Sequence, residues 1–143
     1  MSVKPIRDGF HTITPYLVVR DAPRLIEFLS AAFEGKLINR KNREDGSVMH
    51  AEMRIGDSML MLAEATSDYA PTSIAIYLYV PNCDAVYQRA LSAGGISISE
   101  CCGMPYGERH GGIKDPCGNI WWVATHIADL PADEFAGKSA AEN

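Results

Sequence analysis

Two short stretches of the sequence gather residue types that can do chemistry. In Met49-His50-Ala51-Glu52-Met53-Arg54, an imidazole, a carboxylate and a guanidinium recur at every second position. In an extended chain all three side chains leave from one face. His50 beside Glu52 could bind a metal ion or work as a base with its orienting partner; the plainer reading is a solvated row of charges. The second stretch is Tyr106-Gly107-Glu108-Arg109-His110-Gly111-Gly112. Arg109 offers a fork suited to a carboxylate or phosphate group, unless it simply belongs to a charged hairpin. Gly111-Gly112 fits a bulge or a close backbone approach better than a phosphate cradle.

The four cysteines do not make a zinc pattern: Cys83, Cys101, Cys102 and Cys117 contain no C-x-x-C pair. They read as reduced thiols of an intracellular protein, with a redox or soft-metal pair at Cys101-Cys102 as the alternative. Residues 1–10 carry charges and lack an apolar signal core, so a cytoplasmic location is expected. The 143 residues are 47% hydrophobic and 22% charged, with a net charge of −5. That is enough apolar material for a real core. An acidic chain without Lys/Arg clusters argues against nucleic acid and anionic membrane as partners. The longest apolar runs, 59–63 and 74–80, are of strand length and too short to cross a bilayer.

A repeated pattern must position these residues. Ile13-Thr14-Pro15-Tyr16-Leu17-Val18-Val19 matches Ile74-Ala75-Ile76-Tyr77-Leu78-Tyr79-Val80 in Ile, Tyr, Leu and the final Val. Each run reads as a buried strand. Asp21 can cap a following helix that carries Leu25, Phe28, Leu29, Ala32 and Phe33 on one side and stops at Gly35. In the second copy Asn82 is the cap, Val86, Tyr87, Ala90 and Leu91 form the stripe, and Gly94-Gly95 is the stop. Three strand-like segments follow each helix: 36–41, 47–55 and 58–63, then 96–99, 107–113 and 120–125. The spacing therefore predicts an α+β fold of two βαβββ modules, residues 11–66 and 67–127. An N-terminal extension (1–10) precedes them and a tail (128–143) follows, with a short helix expected over 131–137. Paired modules can bury their helices on one face and curve a mixed sheet around a central trough open to a ligand.

Three segments carry a resemblance to a known family: Thr14-Pro15-Tyr16-Leu17-Val18-Val19-Arg20-Asp21, Met49-His50-Ala51-Glu52-Met53-Arg54-Ile55-Gly56-Asp57-Ser58, and Tyr106 through Asp115-Pro116-Cys117-Gly118-Asn119 to Trp121-Trp122. Over residues 11–127 the chain resembles the vicinal-oxygen-chelate superfamily of glyoxalase, bleomycin-resistance and dioxygenase proteins, and within it the PhnB-like group. The resemblance implies that fold, a small-molecule ligand, a homodimer in which modules can be exchanged, and a link to antibiotic resistance. The metal enzymes of the superfamily take one ligand from the first and last strand of each module. Carried onto this sequence, those positions are Thr14, Met61, Ala75 and Trp122. Ala75 and Trp122 have no lone pair to offer, Met61 is a soft donor, and Thr14 is a neutral hydroxyl. No metal and no cofactor are therefore expected.

Alternation along the strands lists what would face the trough: Thr12, Thr14, Tyr16 and Val18; Met59 and Met61; Ala75, Tyr77 and Tyr79; Trp122 and Ala124. Such aromatic and Met side chains suit a planar or amphipathic ligand, although they would also serve as ordinary core. The expected ligand-binding set is Thr14, Tyr16, His50, Glu52, Met59, Met61, Tyr77, Tyr106, Arg109 and Trp122, with no catalytic residue assigned. The leading expectation is a metal-free protein that binds a drug or metabolite. A lyase or isomerase using relocated ligands or acid/base chemistry is the alternative, and a scaffold with a closed, vestigial pocket is the third.

Overall fold

The computed structural model describes residues 2–131. The expected tail helix lies, from residue 132 onward, outside the described residues. Element order is β1 (Tyr16–Val19), α1 (Ala22–Phe33), β2 (Lys36–Asn42), β3 (Val48–Ile55), β4 (Ser58–Glu64), β5 (Ala75–Tyr79), α2 (Cys83–Ser92), β6 (Ile96–Met104), β7 (Glu108–Lys114) and β8 (Ile120–His126). This is the α+β arrangement of two βαβββ modules. Each module makes its own four-stranded mixed sheet, β1-β4-β3-β2 and β5-β8-β7-β6, and the two sheets do not close on one another. The first strand of each module lies parallel to the last, and the other pairs are antiparallel.

The helices start where their caps dictate. Asp21 accepts from Arg24 N, Pro23 sits in the first turn of α1, and Asn82 accepts from Ala85 N. The carboxylate of Glu64, at the end of β4, also accepts from Asp21 N and Ala22 N, both at 2.8 Å, which places negative charge at the positive end of α1. The stop differs from the sequence expectation. Glu34, not Gly35, takes the left-handed conformation, at φ 57°. Gly35 serves close packing instead: a Cβ there would lie 3.0 Å from Leu29 O and 3.2 Å from Met53 Cε.

Strand β1 is shorter than the run 13–19 suggests. Pro15 still accepts from Met61 N, but Ile13 is 86% exposed and outside the sheet. Strand β6 is longer than 96–99, because register shifts after Ser97 and Ser99 let Cys102, Gly103 and Met104 pair with β7.

One core runs through both modules. Leu17, Val19, Val48, Met53 and Leu62 of the first sheet share it with Ile113, Trp121 and Val123 of the second, and α1 and α2 contribute the rest. Phe33 of α1 packs on Trp121 of β8 at 4.9 Å between ring centroids. Phe28 and Ile113 meet over Gly95. The helix-bearing faces of the two sheets thus look inward at a shared layer, and the opposite face of each sheet is turned outward. The sequence expectation of a hollow shared by the two modules becomes, within one chain, two separate outer faces.

Candidate functional site

The register fixes what each outer face carries. In the first sheet Tyr16 pairs with Met61, and Met61 with Glu52. In the second, Tyr77 pairs with Trp122, Trp122 with Gly112, and His110 with Ala124. Tyr16 and His50 therefore occupy the places that Tyr77 and His110 occupy in the other half. The geometry repeats as well. Tyr16 Oη lies 3.4 Å from His50 Nδ1, Tyr77 Oη lies 3.3 Å from His110 Nδ1, and both ring pairs have centroids 5.9 Å apart.

The two faces then diverge. Opposite Met61 stands Glu52, only 2% exposed. It accepts from Asn39 Nδ2 (2.9 Å), from His50 Nε2 (3.0 Å) and from Arg7. Burial pushes its carboxyl pKa up, but the bonds from Asn39, His50 and Arg7 outweigh that and bring it to about 2. Opposite Trp122 stands Gly112, where a Cβ would lie 2.6 Å from Trp122 Cζ3. The indole occupies the space that a side chain at 112 would need. This explains the glycine that the sequence suggested for a close approach.

The second face is an aromatic box around His110. Trp122 lies 5.1 Å from its ring, and Tyr77 and Tyr106 lie 5.9 and 6.2 Å away, by centroid. Both phenolic oxygens come within 3.3 Å of Nδ1. Burial lowers the pKa of His110, so the ring is held as neutral imidazole. Burial and the neighbouring Tyr106 hydroxyl raise that of Tyr77, which keeps its proton.

Beside the box runs a second chain of polar groups. Tyr79 Oη donates to Glu108 Oε1 (2.5 Å), His126 Nδ1 to Glu108 Oε2 (2.7 Å), and His126 Nε2 to Asp129 Oδ1 (2.7 Å). Acceptors at both nitrogens, Asp129 first and then Glu108, raise the pKa of His126 and favour its charged form. Tyr77 is 38% and Tyr79 63% exposed, so the face is open to a partner.

Several residues expected from sequence lie elsewhere. Arg109 does not join the box. Period two turns it to the opposite face from Glu108 and His110, where it makes two bonds to Asp84 at the start of α2 (2.8 and 2.9 Å). Thr14 precedes β1 and donates to His11 O. Met59 is buried against the seam between modules, in a small pocket it shares with His11, Ile13, Pro15 and Tyr77. A larger cleft of about 740 Å³ follows that seam, between residues 54–58 and the start of α2, and Tyr77 and Tyr79 line it. Charged residues also line the cleft, among them Lys36, Arg54, Asp57 and Arg89, but the buried and hydrogen-bonded Glu52, Glu108 and His110 sit on the outer faces, so the outer face is the stronger candidate. Sequence reasoning passed over Arg7, Asn39 and His126, and left His110 out of the site. Alternation along β7 could have found His110 once Trp122 was placed.

The four strand positions named for metal ligands do not fit a divalent cation. Met61 and Trp122 meet Glu52 and Gly112, and Ala75 brings no donor. Among the described residues no three His, Cys, Asp or Glu side chains converge as a metal-holding group. The buried Asp115 is bound instead to its own turn, accepting from Cys117 N, Asn119 N and Trp121 Nε1.

The family model described as glyoxalase/bleomycin resistance protein/dioxygenase superfamily matches residues 9–123. The chain belongs to that superfamily. Solved structures of similar fold include TioX from Micromonospora sp. ML1, 21% identical with a TM-score of 0.71, covering 82% of this chain and 99% of that one. The PhnB protein from Bacillus cereus is 17% identical (TM-score 0.65; 80% and 99% covered). TnmS3, an antibiotic binding protein from Streptomyces sp. CB03234, is also 17% identical (TM-score 0.65; 88% and 98% covered). At these identities the likeness is one of fold, and it matches the superfamily's paired βαβββ modules. Among the described residues no helix is long and apolar enough to cross a membrane.

Proposed function

We propose that this superfamily member is a metal-free binding protein that holds a planar or amphipathic organic molecule against the outer face of its second sheet. One observation carries the reading: Trp122, Tyr77 and Tyr106 surround a neutral His110 on a face turned away from the core. Rings of this kind stack on a flat ligand, and the hydroxyls and imidazole fix its polar edge. The replaced donors at Met61, Ala75 and Trp122 support binding without a metal. The fold shared with an antibiotic binding protein supports a drug-like ligand.

A sheet with one bare face makes half of an enclosure. The reading therefore includes a homodimer in which a second copy supplies the opposing wall. The test is a titration with anilinonaphthalene sulfonate and a panel of planar antibiotics, followed by Trp fluorescence and by sedimentation. Saturable quenching that disappears in Trp122→Phe, and a dimeric mass, are expected. Quenching unchanged in Trp122→Phe, or no binder in the panel, overturns the site; a monomer at micromolar concentration overturns the second wall.

A further inference from the structure

The first outer face holds a buried charge that the aromatic reading does not use. Glu52 lies on β3 between Ala51 and Met53, which point into the core, so its carboxylate faces outward with His50. An ionised carboxylate this buried is costly unless it is paired. Asn39 and His50 offer hydrogen bonds from the sheet itself. The guanidinium comes from elsewhere: Arg7 belongs to the irregular segment before β1, 45 positions away in sequence. The Arg7 side chain is 58% exposed and stacks on Phe10 at 4.3 Å. The segment's other bonds, Lys4 to Asp8 and Phe10 N to Arg7 O, are internal to it. Among the described residues, Arg7–Glu52 is the single hydrogen bond or ion pair tying residues 2–10 to a sheet.

A fixed, preorganised anion is thus met by a cation on a loosely tethered arm. We propose that Glu52 is the floor of a second ligand seat, specific for a guanidinium or similar planar organic cation, and that Arg7 fills it as an internal surrogate which the ligand displaces. Asn39 and His50 hold the carboxylate in place. Tyr16, 45% exposed with its ring beside His50, forms an aromatic side wall that favours a cation. Met61, the register partner of Glu52, gives the adjoining apolar surface. Arg54, next on the same strand face, lines the cleft between modules. The seat is on a different sheet from Trp122, and either site can fail without the other.

The test is chemical rescue in the full chain. Arg7→Ala should gain saturable binding of ethylguanidinium by calorimetry, at least about tenfold tighter than wild type, in which the plug must first be displaced. N-ethylurea, neutral and of similar shape, should not bind, and Arg7→Ala/Glu52→Gln should lose the effect. Equal affinity in wild type and Arg7→Ala, equal binding of the urea, or rescue that survives Glu52→Gln overturns the proposal. If Arg7→Ala does not fold, the wild type gives a second readout. Ethylguanidinium should shift the Asn39 side-chain amide and His50 ring resonances saturably, and spectra that do not move overturn the seat.

Discussion

Replacing Glu52 by Gln should remove a specific part of the protein's acid sensitivity. In the folded chain its carboxyl pKa lies at about 2, against 4.5 for the free side chain. A carboxylate with a depressed folded pKa adds stability above the unfolded value, and that stability is lost as pH falls through the folded one. The gap of about two and a half pH units corresponds to about 3 kcal/mol, present at pH 7 and gone near pH 2. Urea unfolding of wild type and Glu52→Gln over pH 7 to 2, followed by Trp fluorescence, measures it, since Trp121 is buried in the common core. Other carboxylates titrate in both proteins and cancel in the difference. Wild type should exceed the variant by about 3 kcal/mol more at neutral pH than at the acid end. A difference that stays constant across the range would falsify the reading of Glu52 as an ionised, hydrogen-bonded carboxylate.

Three further outcomes follow from the second module. In proton NMR titrations His110 should titrate below 6.5 and His126 above it; the reverse order would contradict the burial and ion-pair geometry. The raised pKa of His126 adds stability below pH 6.5 that is lost as pH rises through the folded value, so His126→Ala should flatten that decline. Trp121→Phe keeps most of the buried ring but takes the indole donor from Asp115 Oδ2 (2.8 Å). It should cost about 2 kcal/mol or more by urea midpoint, and a loss within noise would show the bond to be idle.

Much of the fold was legible because local chemistry and global pattern agree. Asp21 and Asn82 cap where the apolar periodicity begins, and the Asp115-Pro116-Cys117-Gly118-Asn119 turn closes through Asp115. What escaped depended on pairing between distant positions. The extension of β6 is hidden by its two register shifts, which break the alternation at Glu100-Cys101-Cys102. Arg109 looked available because sequence shows its charge but not Asp84 across the helix. Arg7 lies in an extension without pattern, and its contact with Glu52 spans 45 positions. The matching Tyr–His pairs became visible only when register showed that His50 and His110 occupy equivalent places, since the last hairpin is one residue longer than its counterpart between paired positions and shifts the numbering.

The continuous core has a consequence for how occupancy can be measured. With inner residues from both halves interlocked around α1 and α2, the duplicated units should melt in one cooperative event. Any molecule held by the native chain then raises the single transition by an amount set only by its concentration relative to its dissociation constant, whichever side it occupies. Thermal denaturation thus sums both sides of the protein. Repeating it with Glu52→Gln and Trp122→Phe assigns each increment to the carboxylate side or the indole side.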